Sequence, residues 1–95
     1  MKIRIKSCGF EATETLYEHT EQQVKRLGEA FPLSHATVTL AVERDGEPVV
    51  EVSIQGKEID LRFEERGTDL YGAVPRIVER IEQRLRRHQH GQKLF

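Results

Sequence analysis

Leu70, Val74, Ile77, Ile81 and Leu85 recur at spacings of four, three, four and four, the stripe of a helix with one buried face. Such a stripe demands an apolar surface to dock on, so the rest of the chain has to supply a sheet or helix with a matching face. At 100° per residue, Arg76, Arg80, Arg84 and Arg87 fall within a sector of ~80° that borders the stripe rather than opposing it. The helix can therefore dock and still present a row of guanidiniums at the margin of its docking surface. Each guanidinium offers a fork of donors to phosphate oxygens, so the row marks a candidate phosphate-backbone surface.

The partner surface is written in period two. Ile3 and Ile5 alternate with Lys2, Arg4 and Lys6, which reads as a half-buried strand. A helix follows from Thr13 or Thr15; either can cap it, and Thr15 with Glu18 makes a capping box. Leu16, Thr20, Val24, Leu27 and Phe31 mark its inner face, and Gly28 with Pro32 places its end near residue 30. Residues 34–44 alternate through Ala36, Val38, Leu40 and Val42, and Asp45-Gly46 is a hairpin turn signal. Val50, Val52 and Ile54 continue a strand, Gln55-Gly56-Lys57 turns, and Ile59, Leu61 and Phe63 make another. Gly67 breaks the run and Asp69 caps the last helix.

The order is β-α-β-β-β-α, an α+β fold in a single domain spanning residues 1–95. The first crossover contains a helix, so the first two strands are expected to be parallel neighbours, and the remaining pairs antiparallel hairpins. Both helices should cover one face of the four-stranded mixed sheet. The other face stays wet, with Lys2, Arg4 and Lys6 at one side and mostly acid on the last two strands. One local conflict stands out. Pro75 lies inside the last helix, where its ring should clash with the Tyr71 carbonyl and remove a hydrogen bond. The sequence therefore predicts an irregular stretch between Tyr71 and Pro75.

Charge separates along the chain. The net charge is −1, yet residues 69–95 hold six basic and three acidic residues while residues 43–65 sum to −5. Sign asymmetry of this kind says more about partners than the total does, although charge at this density also serves simply to keep a small domain soluble.

Signals of catalysis are thin. No nucleophile elbow, phosphate-binding glycine loop or metal-binding spacing occurs, and the carboxylates lie in no apolar context that would suit acid-base work. His88 and His90 share no helical face. Cys8, the only cysteine, reads as an ordinary residue at a strand end and fits a reducing compartment. No segment has the length of a signal peptide or membrane span, so a cytoplasmic protein is expected. Tyr17 and Tyr71 could stack on bases, but lone tyrosines near helix starts are more often core-edge residues.

The strand pattern followed by Asp69-Leu70-Tyr71-Gly72-Ala73 and an apolar-basic helix resembles the ribosome hibernation-promoting factor and ribosome-associated inhibitor family. Lys2 to Lys6, Thr13, Lys25-Arg26-Leu27, Phe31 and the basic run Arg84 to His88 extend the resemblance over essentially the whole chain. It implies a fold similar to a double-stranded-RNA-binding domain. It also implies a non-enzymatic factor, without cofactor or metal, that occupies the mRNA and tRNA channel of the small ribosomal subunit and silences ribosomes in stationary phase. The RNA contacts would be Arg76, Arg80, Arg84, Arg86 and Arg87, joined by Lys25 and Arg26 of the first helix and Lys2, Arg4 and Lys6 of the first strand. Partners would be ribosomal RNA first and ribosomal proteins second. Ending at Phe95, the chain resembles the short form, without the extra domain by which long forms pair ribosomes. It departs from the family pattern at Val74-Pro75, where an Ile-Asp pair is usual, at Tyr17 and Gln23, which replace basic residues, and at His19, which replaces an apolar one. The alternative is a protein-interaction module of the same fold whose acidic sheet face meets a basic partner.

Overall fold

Six elements follow in the expected order: β1 (Lys2–Cys8), α1 (Glu14–Ala30), β2 (Leu33–Val42), β3 (Pro48–Gly56), β4 (Ile59–Arg66) and α2 (Leu70–Gln89). The structure, a computed structural model, describes residues 1–67 and 69–89. Of the two available threonines, Thr13 caps α1: its Oγ1 accepts the Leu16 N–H at 3.2 Å and its carbonyl accepts the Tyr17 N–H at 3.1 Å. The helix stops where Phe31 turns extended, its N–H still reaching the Leu27 carbonyl at 2.9 Å. At the β2–β3 hairpin the Gly46 N–H bonds the Glu43 carbonyl at 2.8 Å, with Gly46 at φ +85°, a value that suits glycine.

The sheet order is β1-β2-β3-β4, with β1 parallel to β2 and the other two pairs antiparallel. In this register Ile5, Val38, Val52 and Phe63 form one row across the sheet and Ile3, Ala36, Ile54 and Leu61 another, all facing the helices. Val24 and Leu27 of α1 and Val74, Ile77, Ile81 and Leu85 of α2 close the core over them. Leu61 and Phe63, expected in the core, face it but are only half-buried, because β4 is an edge strand. The one buried polar side chain among the described residues, Thr20, satisfies its hydroxyl on the Leu16 carbonyl at 2.8 Å. No helix among the described residues is long and apolar enough to cross a membrane.

α1 lies over β1 and β2, and α2 over β3 and β4. His19 meets Tyr71 near the start of α2, while Arg26, Ala30 and Phe31 line a recess with Val78 and Glu82 farther along. The two helices therefore run side by side in the same direction.

The expected irregularity at Pro75 does not occur. α2 is a continuous helix from Leu70, capped by Asp69, whose Oδ1 accepts the Gly72 N–H at 2.7 Å and whose carbonyl accepts the Ala73 N–H at 3.2 Å. Proline still leaves the Tyr71 carbonyl without its helical donor. That donor comes from the other helix: Nε2 of His19 lies 3.2 Å from the Tyr71 oxygen, and its ring tilts against the Tyr71 ring at 5.3 Å between centroids. A carbonyl only accepts, so Nε2 is the protonated nitrogen in this contact. Tyr71 itself is 44 % exposed, more open than a core-edge residue would be.

Two outcomes follow for stability. Ile81→Ala removes a fully buried side chain between helix and sheet and should lower the unfolding free energy by about 2–5 kcal/mol in urea titrations. His19→Ala should cost about 0.5–1.5 kcal/mol in the native background. It should cost measurably less in a Pro75→Ala background, where the new N–H at 75 can bond the Tyr71 carbonyl. Equal losses in both backgrounds would show the two residues to be uncoupled.

Candidate nucleic-acid interface

The ten cations singled out in the sequence do not converge on one surface. The buried stripe fixes the rotation of α2 about its axis and turns Arg76, Arg80, Arg84 and Arg87 toward the β4 edge. Arg86 lies outside this row and pairs with Glu82 one turn earlier at 2.6 Å. Glu82 also borders the recess of about 150 Å³ lined by Arg26, so Arg26 and Arg86 flank the interhelical groove. Lys25 stands elsewhere, on the solvent side of α1, within about 80° of Glu14, Glu18, Glu21 and Glu29. That ridge is acidic, and a single lysine does not make it a phosphate surface.

The open sheet face holds the third group. Lys2, Arg4 and Lys6 are exposed on β1, at the opposite edge of the sheet from β4, and none makes an ion pair with a described residue. Lys2 and Arg4, with β2 and β3, border a shallow concavity of about 420 Å³ that also takes in His35, Thr37 and Gln55. Three strand spacings, roughly 14 Å, separate this edge from β4.

The acid expected on the last two strands is present but mostly paired. Arg66 holds Glu43 at 2.9 Å, Glu64 at 3.1 Å and Glu47 at 3.3 Å, and Arg62 holds Glu51 at 2.6 Å. The hydrogen bond that Arg66 donates to Glu43 and the Glu43 charge, with Glu64 and Glu47 behind them, raise the Arg66 guanidinium above its ordinary pKa.

The arginine row is itself partly engaged. Glu65 shares strand parity with Ile59, Leu61 and Phe63 and so points to the helix side. Its Oε2 accepts from Arg80 Nη1 at 2.7 Å and its Oε1 from Arg76 Nε at 3.4 Å. Arg80 Nη1 also donates to the Glu64 carbonyl at 3.0 Å, and its guanidinium carbon lies 5.3 Å from the Phe63 ring centroid. Arg76 fits beside two glycines. A Cβ at Gly67 would collide with its Nη2, and one at Gly72 would lie 3.5 Å from its Nη1. Farther along, Arg87 is exposed and makes no ion pair with a described residue. Sequence reasoning counted Glu65 only as part of the acidic stretch, although strand parity was enough to place it under the arginines.

Among the described residues no group of three or more His, Cys, Asp or Glu side chains is placed to hold a metal ion. His90 and the side chain of His88 lie outside the described residues. Cys8 is exposed at the end of β1. What these cations offer is electrostatic: guanidiniums and ammoniums attract anionic groups such as phosphate.

Comparison with known proteins agrees with this fold. The chain resembles the ribosome hibernation promotion factor of Bacillus subtilis (strain 168), 30 % identical over 91 residues that cover 93 % of this chain and 48 % of that protein. It is also similar to the ribosome hibernation promotion factor of Lactococcus lactis subsp. cremoris (strain MG1363), at 26 % identity over 93 % of this chain and 49 % of the relative. The chain thus spans about half the length of these curated relatives. Among solved structures, the N-terminal domain of Protein Y from Thermus thermophilus matches with a TM-score of 0.80 at 26 % identity, covering 93 % of this chain and 99 % of that one. A ribosomal subunit interface protein from Coxiella burnetii shares the fold, with a TM-score of 0.83 at 17 % identity over 95 % of this chain and 99 % of that one. The profile of the family described as Sigma 54 modulation protein / S30EA ribosomal protein matches residues 3–93, and the chain belongs to that family.

Proposed function

We propose that this chain is a non-enzymatic, cytoplasmic ribosome-associated factor that binds small-subunit ribosomal RNA in the mRNA and tRNA channel and holds the ribosome out of translation. The observation that carries this reading is the arginine row along α2 at the β4 edge, in a chain of a family whose relatives are hibernation promotion factors. One helical turn separates Arg76, Arg80 and Arg84, with Arg87 three residues on, at ~5–6 Å per step. The phosphates of one RNA strand lie at a comparable interval. Recognition is of backbone and shape, since arginine on phosphate reads no sequence and A-form RNA hides its major-groove edges.

The scatter of the remaining cations suits a channel. RNA that surrounds the domain meets Arg87 and Arg84 on one side and Lys2, Arg4 and Lys6 on the other, so one flat binding face is unnecessary. The alternative, an acidic face that recruits a basic partner, is weakened by the pairing of Glu43, Glu47, Glu51 and Glu64 with Arg62 and Arg66.

Changing Arg80, Arg84 and Arg87 together to glutamate leaves the buried stripe intact and makes the α2 edge repel phosphate. Co-sedimentation with small subunits should fall to background, while circular dichroism shows a folded protein. For the native chain, log affinity should fall with log salt at a slope of roughly −3 to −4 if about four phosphates are neutralised. Equal recovery of native and triple-substituted protein would reject the arginine row as the anchor.

A further inference from the structure

We propose that Glu65 is an internal rival of phosphate: it occupies the first half of the arginine row, lowers the affinity of this chain for RNA and confines the working contact to the C-terminal half of α2. The proposal rests on the reading of the α2–β4 edge as the RNA surface. A carboxylate and a phosphate present the same oxygens to a guanidinium fork. Glu65 reaches two guanidiniums at once, Arg80 at 2.7 Å and Arg76 at 3.4 Å. It is the sheltered member of the cluster, its side chain 20 % exposed, while the Arg76 and Arg80 side chains are about half exposed. Displacing so sheltered a carboxylate would strip it of its cations where only a fifth of its side chain reaches water, which opposes exchange with an incoming phosphate.

The local charge argues the same way. Arg76 and Arg80 with Glu65 between them present a net +1 to an RNA strand, where the bare arginines would present +2. Arg76 is further held by its seat between Gly67 and Gly72, and Arg80 by the Glu64 carbonyl and the Phe63 ring. Arg87 is exposed and has no acidic partner among the described residues. The first two arginines of the row are thus engaged by β4, and the last has no such partner among the described residues.

The neighbouring residue supplies a control. Glu64 belongs to the same strand and carries the same charge, but it faces the open side of the sheet and pairs with Arg66 at 3.1 Å. Native protein, Glu65→Gln, Glu64→Gln, Arg76→Gln and Arg87→Gln are compared for binding to purified small ribosomal subunits across a salt series, with thermal unfolding of each variant. Glutamine is isosteric with glutamate and keeps an acceptor oxygen for Arg80. The expected result is about five- to tenfold tighter binding by Glu65→Gln near 0.1 M salt, with a salt slope steeper by about one. Glu64→Gln should stay within about twofold of native. Arg76→Gln should lose less than Arg87→Gln, because Glu65 and the seat between Gly67 and Gly72 already hold the Arg76 donors, while Arg87→Gln should lose about five- to tenfold. Affinity of Glu65→Gln equal to or below native overturns the proposal, and with a lowered midpoint of unfolding it makes Glu65 a staple between β4 and α2. A loss at Arg76 as large as at Arg87 overturns it independently of whether Glu65→Gln folds well. Binding by the native chain without a gain in Glu65→Gln rejects this proposal alone, whereas no binding by any variant rejects the RNA reading with it.

Discussion

The packing of Val74, Ile77, Ile81 and Leu85 against β3 and β4 fixes everything else about this molecule. A helix buried along one stripe has no freedom to rotate about its axis, so the position of each of its polar residues is set by the core. Arginines flanking the stripe on one side must lie along the β4 edge, and Val78 and Glu82 on the other side must meet α1. The charged surface is therefore a consequence of hydrophobic burial, and its geometry is as rigid as the core that creates it.

Charge pairing then divides the cations into those engaged with the fold and those turned to solvent. Arg62 and Arg66 hold together the acidic end of the sheet, Arg86 matches Glu82, and Arg76 with Arg80 gather on Glu65. Exposed pairs of this kind contribute little to stability singly. Their effect on function is larger, because each one removes a charge from the field that an RNA strand would meet. The sequence total of −1 conceals this distribution: acid is concentrated on the outer ridge of α1 and at the β3–β4 side of the open face, away from Lys2, Arg4 and Lys6.

The fold was largely legible because its signals are local. Period-two alternation, the Asp45-Gly46 turn, Thr13 and Asp69 at helix starts, and the stripe of α2 each declare their element within a few residues, and all agree with one topology. What the sequence did not show is pairwise and long-range. Pro75 predicted a disturbed helix, and nothing near it in sequence announces that His19, 56 positions earlier, donates to the carbonyl that the proline strands. His19 and Pro75 are both departures from the pattern that the family resemblance implied, and they are physically linked through that carbonyl. Glu65 is a different kind of omission. Its parity with Phe63 places it on the helix side, but an acidic run read as a block hides parity. The four arginines, equivalent by helical angle alone, are not equivalent in the structure, because the edge strand places Glu65 beside Arg76 and Arg80.

On the proposed function, the α2–β4 edge is the surface that meets ribosomal RNA. That reading is tested most directly by electron cryomicroscopy of small ribosomal subunits incubated with the chain. Density for the domain is expected in the mRNA and tRNA channel, with the C-terminal half of α2, Arg84 and Arg87 included, against RNA phosphates and the Glu18–Glu21–Glu29 ridge turned away. A bound domain whose α2–β4 edge faces solvent, or whose acidic sheet face is seated on a ribosomal protein, would contradict it.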